Sequence, residues 1–200
     1  MQPDRPQIAD FNERDMEVLR FIGEESLLGF TFEGIRRSLG AHSETLSRIL
    51  DRLEEGDILE KTGSGYQVTE RGKGMMGLKT LSSSAPKITL LRTLLPRMDN
   101  PREAISGLKG RWFGPLRWLG HSEDENSTSM KWVTEDGGIQ VDAVFSDGEL
   151  IIEGRIREGK DLTDAIKASH QLVGYISRIY PTRNNNRVAY YSPQMFLVPN

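Results

Sequence analysis

The apolar residues of the first seventy positions keep a helical rhythm three times and then switch to a tight hairpin, an order that leaves few folds open. Asn12 is placed to cap a helix carrying Met16, Leu19, Phe21 and Ile22 toward a core. Thr31 can cap a short second helix with Ile35 and Leu39, stopped by Gly40. Ser43 opens a third, with Leu46, Ile49, Leu50 and Leu53 at helical spacing and a stop near Gly56. Ile58 and Leu59 start a strand, Thr62-Gly-Ser-Gly65 turns it, and Tyr66-Gln-Val68 returns.

Three helices and a hairpin in so short a run match the winged helix-turn-helix order. The third helix would then read DNA. Ser43, Thr45, Ser47, Arg48 and Arg52 are the candidates for base edges and phosphates, with Lys61 at the wing base and Arg71 after it. The run Ser47–Met76 resembles MarR-type and related winged-helix regulators. It has their Ser-Arg and an apolar segment ending in Leu53-Glu-Glu-Gly56; where their wing closes in Leu-Thr-Glu-Lys-Gly, this chain has a short wing closing in Val68-Thr-Glu-Arg-Gly72. The resemblance implies double-stranded DNA as partner and a homodimer reading paired half-sites. The opposing feature is acidity. Glu44, Asp51, Glu54 and Glu55 lie on the same helix, and the net charge of −3 has its acidic excess in the first 84 residues. A winged helix used for protein docking stays open on that ground.

The small, polar stretch Leu81–Pro86 reads as a linker. The expected organisation is α+β in two domains: residues 11–80 the winged helix, 81–87 the linker, and 88–200 a second domain of order α-β-β-β-α-β. Its helices are expected at Ile88–Leu95, Pro101–Leu108 and Leu162–Ile179. Strands are expected at Met130–Val133, Ile139–Phe145, Glu149–Ile156 and within Arg187–Val198, and His121–Ser129 reads as a loop. The chain has no cysteine, no long apolar run and no signal-peptide pattern, so a cytoplasmic protein without a membrane partner is expected.

The hairpin signal Asp147-Gly148 sets a register. It puts Asp142 opposite Glu153 and Gln140 opposite Arg155, all on one face, with Val141, Ala143, Phe145, Leu150 and Ile152 on the other. Opposed carboxylates repel unless a cation such as Mg²⁺ lies between them, or unless the face is solvated and Arg155 screens them.

An Asp followed about ten residues later by Glu-x-Arg on the adjacent strand, in this element order, resembles the PD-(D/E)xK nuclease fold. Gln171-Leu-Val-Gly-Tyr175 on the next helix is similar to the Gln-x-x-x-Tyr motif of RecB-like members. If the site is active, the resemblance implies Asp142 and Glu153 as Mg ligands, with Arg155, Gln171 and Tyr175 beside them. Lys160 or Glu103 would be supplementary groups. The family's lysine is Arg155 here, a bulkier permanent cation with no lone pair to offer, which counts against cleavage. Three readings result. The first is a DNA-binding regulator with a non-catalytic nuclease-like domain used for dimerisation, DNA contact or sensing. The second is a Mg-dependent endonuclease targeted by its winged helix, similar to Mrr-type restriction enzymes. The third is a protein-interaction adaptor. The aromatic run containing Trp112, Phe113 and Trp118 is expected to fill a core or an interface rather than to stack on ligands.

Overall fold

A computed structural model describes residues 11–76, 87–95 and 101–179. The expected linker at 81–86 and the expected strand at 187–198 lie outside them.

Helix α1 (Glu13–Glu24) starts at a complete capping box: Asn12 accepts from the amides of Arg14 and Asp15, and the Asp15 carboxylate accepts from the Asn12 amide. Strand β1 (Gly29–Phe30) follows. Helix α2 (Phe32–Leu39) is capped by Thr31 and ended by Gly40 in the left-handed region. Helix α3 (Ser43–Glu55) buries Leu46, Ile49, Leu50 and Leu53 on one face. Strands β2 (Leu59–Thr62) and β3 (Gly65–Val68) make the hairpin. Helix α4 (Glu70–Met76) begins where the Thr69 hydroxyl accepts from the Gly72 amide.

The rest of the described chain runs β4 (Ile88–Leu94), α5 (Pro101–Ser106), β5 (Leu116–Glu123), β6 (Ser127–Thr134), β7 (Ile139–Ser146), β8 (Glu149–Ile156) and α6 (Leu162–Ile179). This is an α+β fold. Its strands form one antiparallel eight-stranded sheet of order β2-β3-β1-β5-β6-β7-β8-β4.

Two expectations give way here. Residues Ile88–Leu94 form an edge strand on β8, not a helix. A short apolar run carries too little periodicity to choose between the two states, and the free edge of β8 decides it. His121–Ser129 is not one loop. His121–Glu123 end β5 and Ser127–Ser129 begin β6, leaving a tight turn in which the Asp124 carboxylate binds Asn126 and Ser127. The described order of this half is therefore β-α-β-β-β-β-α, a meander preceded by a strand, rather than α-β-β-β-α followed by a last strand.

The described residues form two hydrophobic clusters, and that of the first half takes in Leu119 of β5 and Val133 of β6; the two-residue strand β1 joins the halves by pairing with β3 on one side and β5 on the other. The Thr31 amide donates to the Leu119 carbonyl at 3.0 Å and the Thr31 hydroxyl to the Trp118 carbonyl at 3.1 Å. The junction has no space for side chains at two glycines: a Cβ on Gly120 would stand 2.3 Å from the Gly29 carbonyl oxygen, and one on Gly34 2.6 Å from the Leu119 Cα. Helix α6 lays Ala165, Ala168, Leu172 and Ile176 on the sheet face formed by Val141, Ala143, Phe145, Leu150 and Ile152. The opposite face carries Lys131, Gln140 and Asp142, all buried.

Candidate nucleic-acid interface and a buried charge cluster

Helix α3 turns Ser43, Glu44, Ser47, Arg48 and Asp51 to solvent, and Thr45 is half-buried. His42 holds the N-cap position without a side-chain bond to the helix. The Arg48 guanidinium lies 2.5 Å from Glu44, one turn earlier, with both side chains largely exposed. Such an exposed pair is weak and yields to a stronger acceptor. Lys61 is exposed on β2 beside the turn at Thr62–Gly65, whose Thr62 hydroxyl donates to the Gly65 carbonyl. Arg71 is half-buried on α4, and Lys73 reaches Glu70 at 2.5 Å.

Arg52 has a different task from the one its sequence position suggested. Its Nε lies 3.2 Å from Oδ2 of Asp15, and a terminal nitrogen bonds Oδ1. Asp15 is almost fully buried and is also the carboxylate of the α1 capping box. Arg52 thus clamps α3 to α1, and its bonding to Asp15 raises its already high pKa. Arg52→Ala is expected to lower stability by about 1–2 kcal/mol, the scale of a charge-assisted hydrogen bond whose donor is partly solvated. A reduced urea midpoint at constant slope would show it.

On the second half, the expected register is found: Asp142 faces Glu153 and Gln140 faces Arg155. What surrounds these residues is a charge cluster. Asp142 is 1% exposed. Its Oδ2 receives Lys87 at 2.7 Å and Lys131 at 3.0 Å, and its Oδ1 receives the Gln140 amide at 2.9 Å. The same amide group lies 2.9 Å from Glu25, just past α1, and Lys131 lies 3.4 Å from it. Arg155 closes on Glu25, and Lys87 also stands 3.5 Å from Glu153. Burial by itself would raise the Asp142 pKa, but the ammonium groups of Lys131 and Lys87 overcome it and hold the carboxyl well below its ordinary range. The Lys87 pKa is raised, because the charges of Asp142, Glu25 and Glu153 outweigh its own burial.

Three carboxylates and three cations are therefore matched. The donor set does not fit a Mg²⁺ site: the Lys87 ammonium takes the place between Asp142 and Glu153 that a metal would need, and both Asp142 oxygens are already bonded. Among the described residues no group of three or more metal-ligating side chains converges.

The sheet also separates the two halves of the expected nuclease set. Tyr175 packs its ring 4.8 Å from Phe113, in the α6 layer, and accepts from Arg111 at 2.6 Å. Gln171 lies over Gly114. Asp142 and Glu153 are on the other face. Lys160 pairs with Asp136, and Glu103 belongs to α5, whose Ile105 packs on the α6-side cluster. Lys160 is therefore engaged by a carboxylate other than Asp142 or Glu153. Glu25, Lys87 and Lys131 were not singled out from sequence. Lys131 alone left a trace, as one charge in the otherwise apolar run Met130–Val133.

Of the aromatic run, Phe113 and Trp118 are buried in the core as expected, while Trp112 is exposed. No helix of the described residues is long and apolar enough to cross a membrane. Compared with known protein families, with curated proteins and with solved structures, the chain gives no match.

Proposed function

We propose that this protein binds double-stranded DNA as a transcription regulator of winged helix-turn-helix type, reading it with α3 and the β2–β3 wing. In this reading the second half is a non-catalytic scaffold that serves dimerisation. The observation that carries it is the unit α1-β1-α2-α3-β2-β3, whose strands order as β2-β3-β1 and whose third helix presents Ser43, Ser47 and Arg48 to solvent. A helix with short polar side chains in its first two turns fits the major groove, and the adjacent glycine-turned hairpin can lie along a phosphate backbone. The second half supports the non-catalytic assignment because its carboxylates are neutralised by lysines rather than open to a metal.

The test is a fluorescence-anisotropy titration of duplex DNA at several salt concentrations. Binding should weaken steeply with salt, as counterion release requires. Arg48→Ala should cost tenfold or more in affinity and flatten the salt slope by about one. Glu44→Gln should bind a few times more tightly, since it frees Arg48 and removes a negative charge from the groove-facing surface. Glu153→Ala should leave DNA affinity unchanged.

The exposed acids Glu44, Asp51, Glu54 and Glu55 favour a second reading, in which α3 docks a basic protein partner. DNA binding without salt dependence, or none at low salt, would decide for it.

A further inference from the structure

We propose that Trp112, stacked under the Arg117 guanidinium, is a stacking platform for an unpaired base of a nucleic-acid strand. This surface is separate from α3 and stands on its own observations. Large apolar side chains are normally withdrawn from water when a core is at hand, and the neighbours Phe113 and Trp118 are withdrawn. Trp112 is 64% exposed. It is also held in place. The Arg117 guanidinium lies over its ring, 4.7 Å from the centroid, and is anchored by a 2.7 Å bond to the Gly114 carbonyl and a 2.9 Å bond to Glu135. One face of the indole is thereby covered by a cation.

The segment that carries Trp112 is built to project it. Trp132 donates its indole N–H to the Arg111 carbonyl at 2.9 Å, and Phe113 packs edge-on against the same indole. Tyr175 packs on Phe113 and bonds Arg111, while Gln171 fills the space over Gly114, whose φ is +53°. The Gln171–Tyr175 pair thus props this loop from α6, on the sheet face away from Asp142.

The chemistry selects the partner. An open indole face accepts a planar π system, and the Arg117 guanidinium on the other face suits phosphate. Arg111 is bonded to the Gly107 carbonyl and the Tyr175 hydroxyl, both neutral groups, and Glu135 is shared between Arg117 and Arg37. Local positive charge therefore remains. A free nucleotide needs a cavity that encloses most of its surface, which so exposed a ring does not offer. A strand gains affinity from successive contacts along an open surface.

The experiment titrates the full chain with a short oligothymidylate, thymidine monophosphate and a blunt duplex, reading intrinsic fluorescence. Trp118 and Trp132 are buried, so quenching of solvent-exposed emission reports Trp112. The expected result is quenching of the native chain by the oligothymidylate; the anisotropy of a dye-labelled oligothymidylate, which needs no tryptophan, should show affinity reduced roughly tenfold or more in Trp112→Ala and largely kept in Trp112→Phe. Circular dichroism should show both variants folded. Equal strand affinity in Trp112→Ala would overturn the proposal. So would thymidine monophosphate binding as tightly as the strand, or the duplex quenching Trp112 as fully. Arg48→Ala should leave the oligothymidylate result untouched, so failure of the α3 reading and failure of this one are distinguishable.

Discussion

Asp142→Ala should lower the stability of the protein by about 3–5 kcal/mol, the cost of removing one partner from a buried ion cluster. The effect comes less from the lost bonds than from what stays behind. Lys131 is 3% exposed, and its remaining carboxylate neighbour is Glu25 at 3.4 Å. Lys87 would keep only its 3.5 Å approach to Glu153. Urea unfolding followed by circular dichroism measures it. A metal-binding carboxylate pair predicts the opposite sign, since deleting one of two repelling acids relieves the apo protein. A stabilised Asp142→Ala variant would therefore sink the ion-cluster reading.

The pH dependence follows from the same carboxylate. Its pKa in the folded protein is held below the ordinary value of about 3.9. The unfolded chain then binds the proton more readily, and stability falls as pH drops through and below that ordinary value. Above it the contribution is fully present. Asp142→Asn should remove this part of the acid-induced loss while leaving the register of β7 and β8 intact.

Trp132→Ala is the second large effect, at about 3–5 kcal/mol. The side chain is fully buried, and its ring meets Phe113 at 5.4 Å and Trp118 at 5.3 Å, both edge-on. For a chain of this length the loss corresponds to a fall in melting temperature of roughly 6–20 °C. Because Trp132 also bonds the Arg111 carbonyl, the same substitution should loosen the loop bearing Trp112. A shift in the emission of the remaining tryptophans, at temperatures where the sheet is still folded, would report that local change. Asp142→Ala should leave that emission unaltered, since Asp142 lies on the opposite sheet face.

The residues that behaved as read are those whose environment is local. Asn12, Thr31 and Gly40 bound their helices through atoms two to four residues away. Asp147-Gly148 sets the β7–β8 register because a two-residue turn admits one pairing, and period-two alternation then assigns each side chain a face. The helix at Leu162–Ile179 was legible for the same kind of reason, an apolar stripe repeating every three to four positions. The strand at Ile88–Leu94 was not, because its state depends on a partner more than fifty residues ahead.

The candidate sites divide along the same line. The spacing of the buried apolar residues of α3 fixes its exposed edge, but what separates Arg52 from Arg48 is Asp15, which lies beneath Arg52 and comes from another helix. Likewise, the sequence by itself determined that Asp142 and Glu153 face each other. Only the tertiary structure decided what lies between them. Lys87, Lys131 and Glu25 arrive there from β4's approach, from β6 and from the end of α1, brought together by the joining of β1 to β5. A carboxylate's chemistry depends on the charges within a few ångströms, and those charges here come from distant parts of the chain.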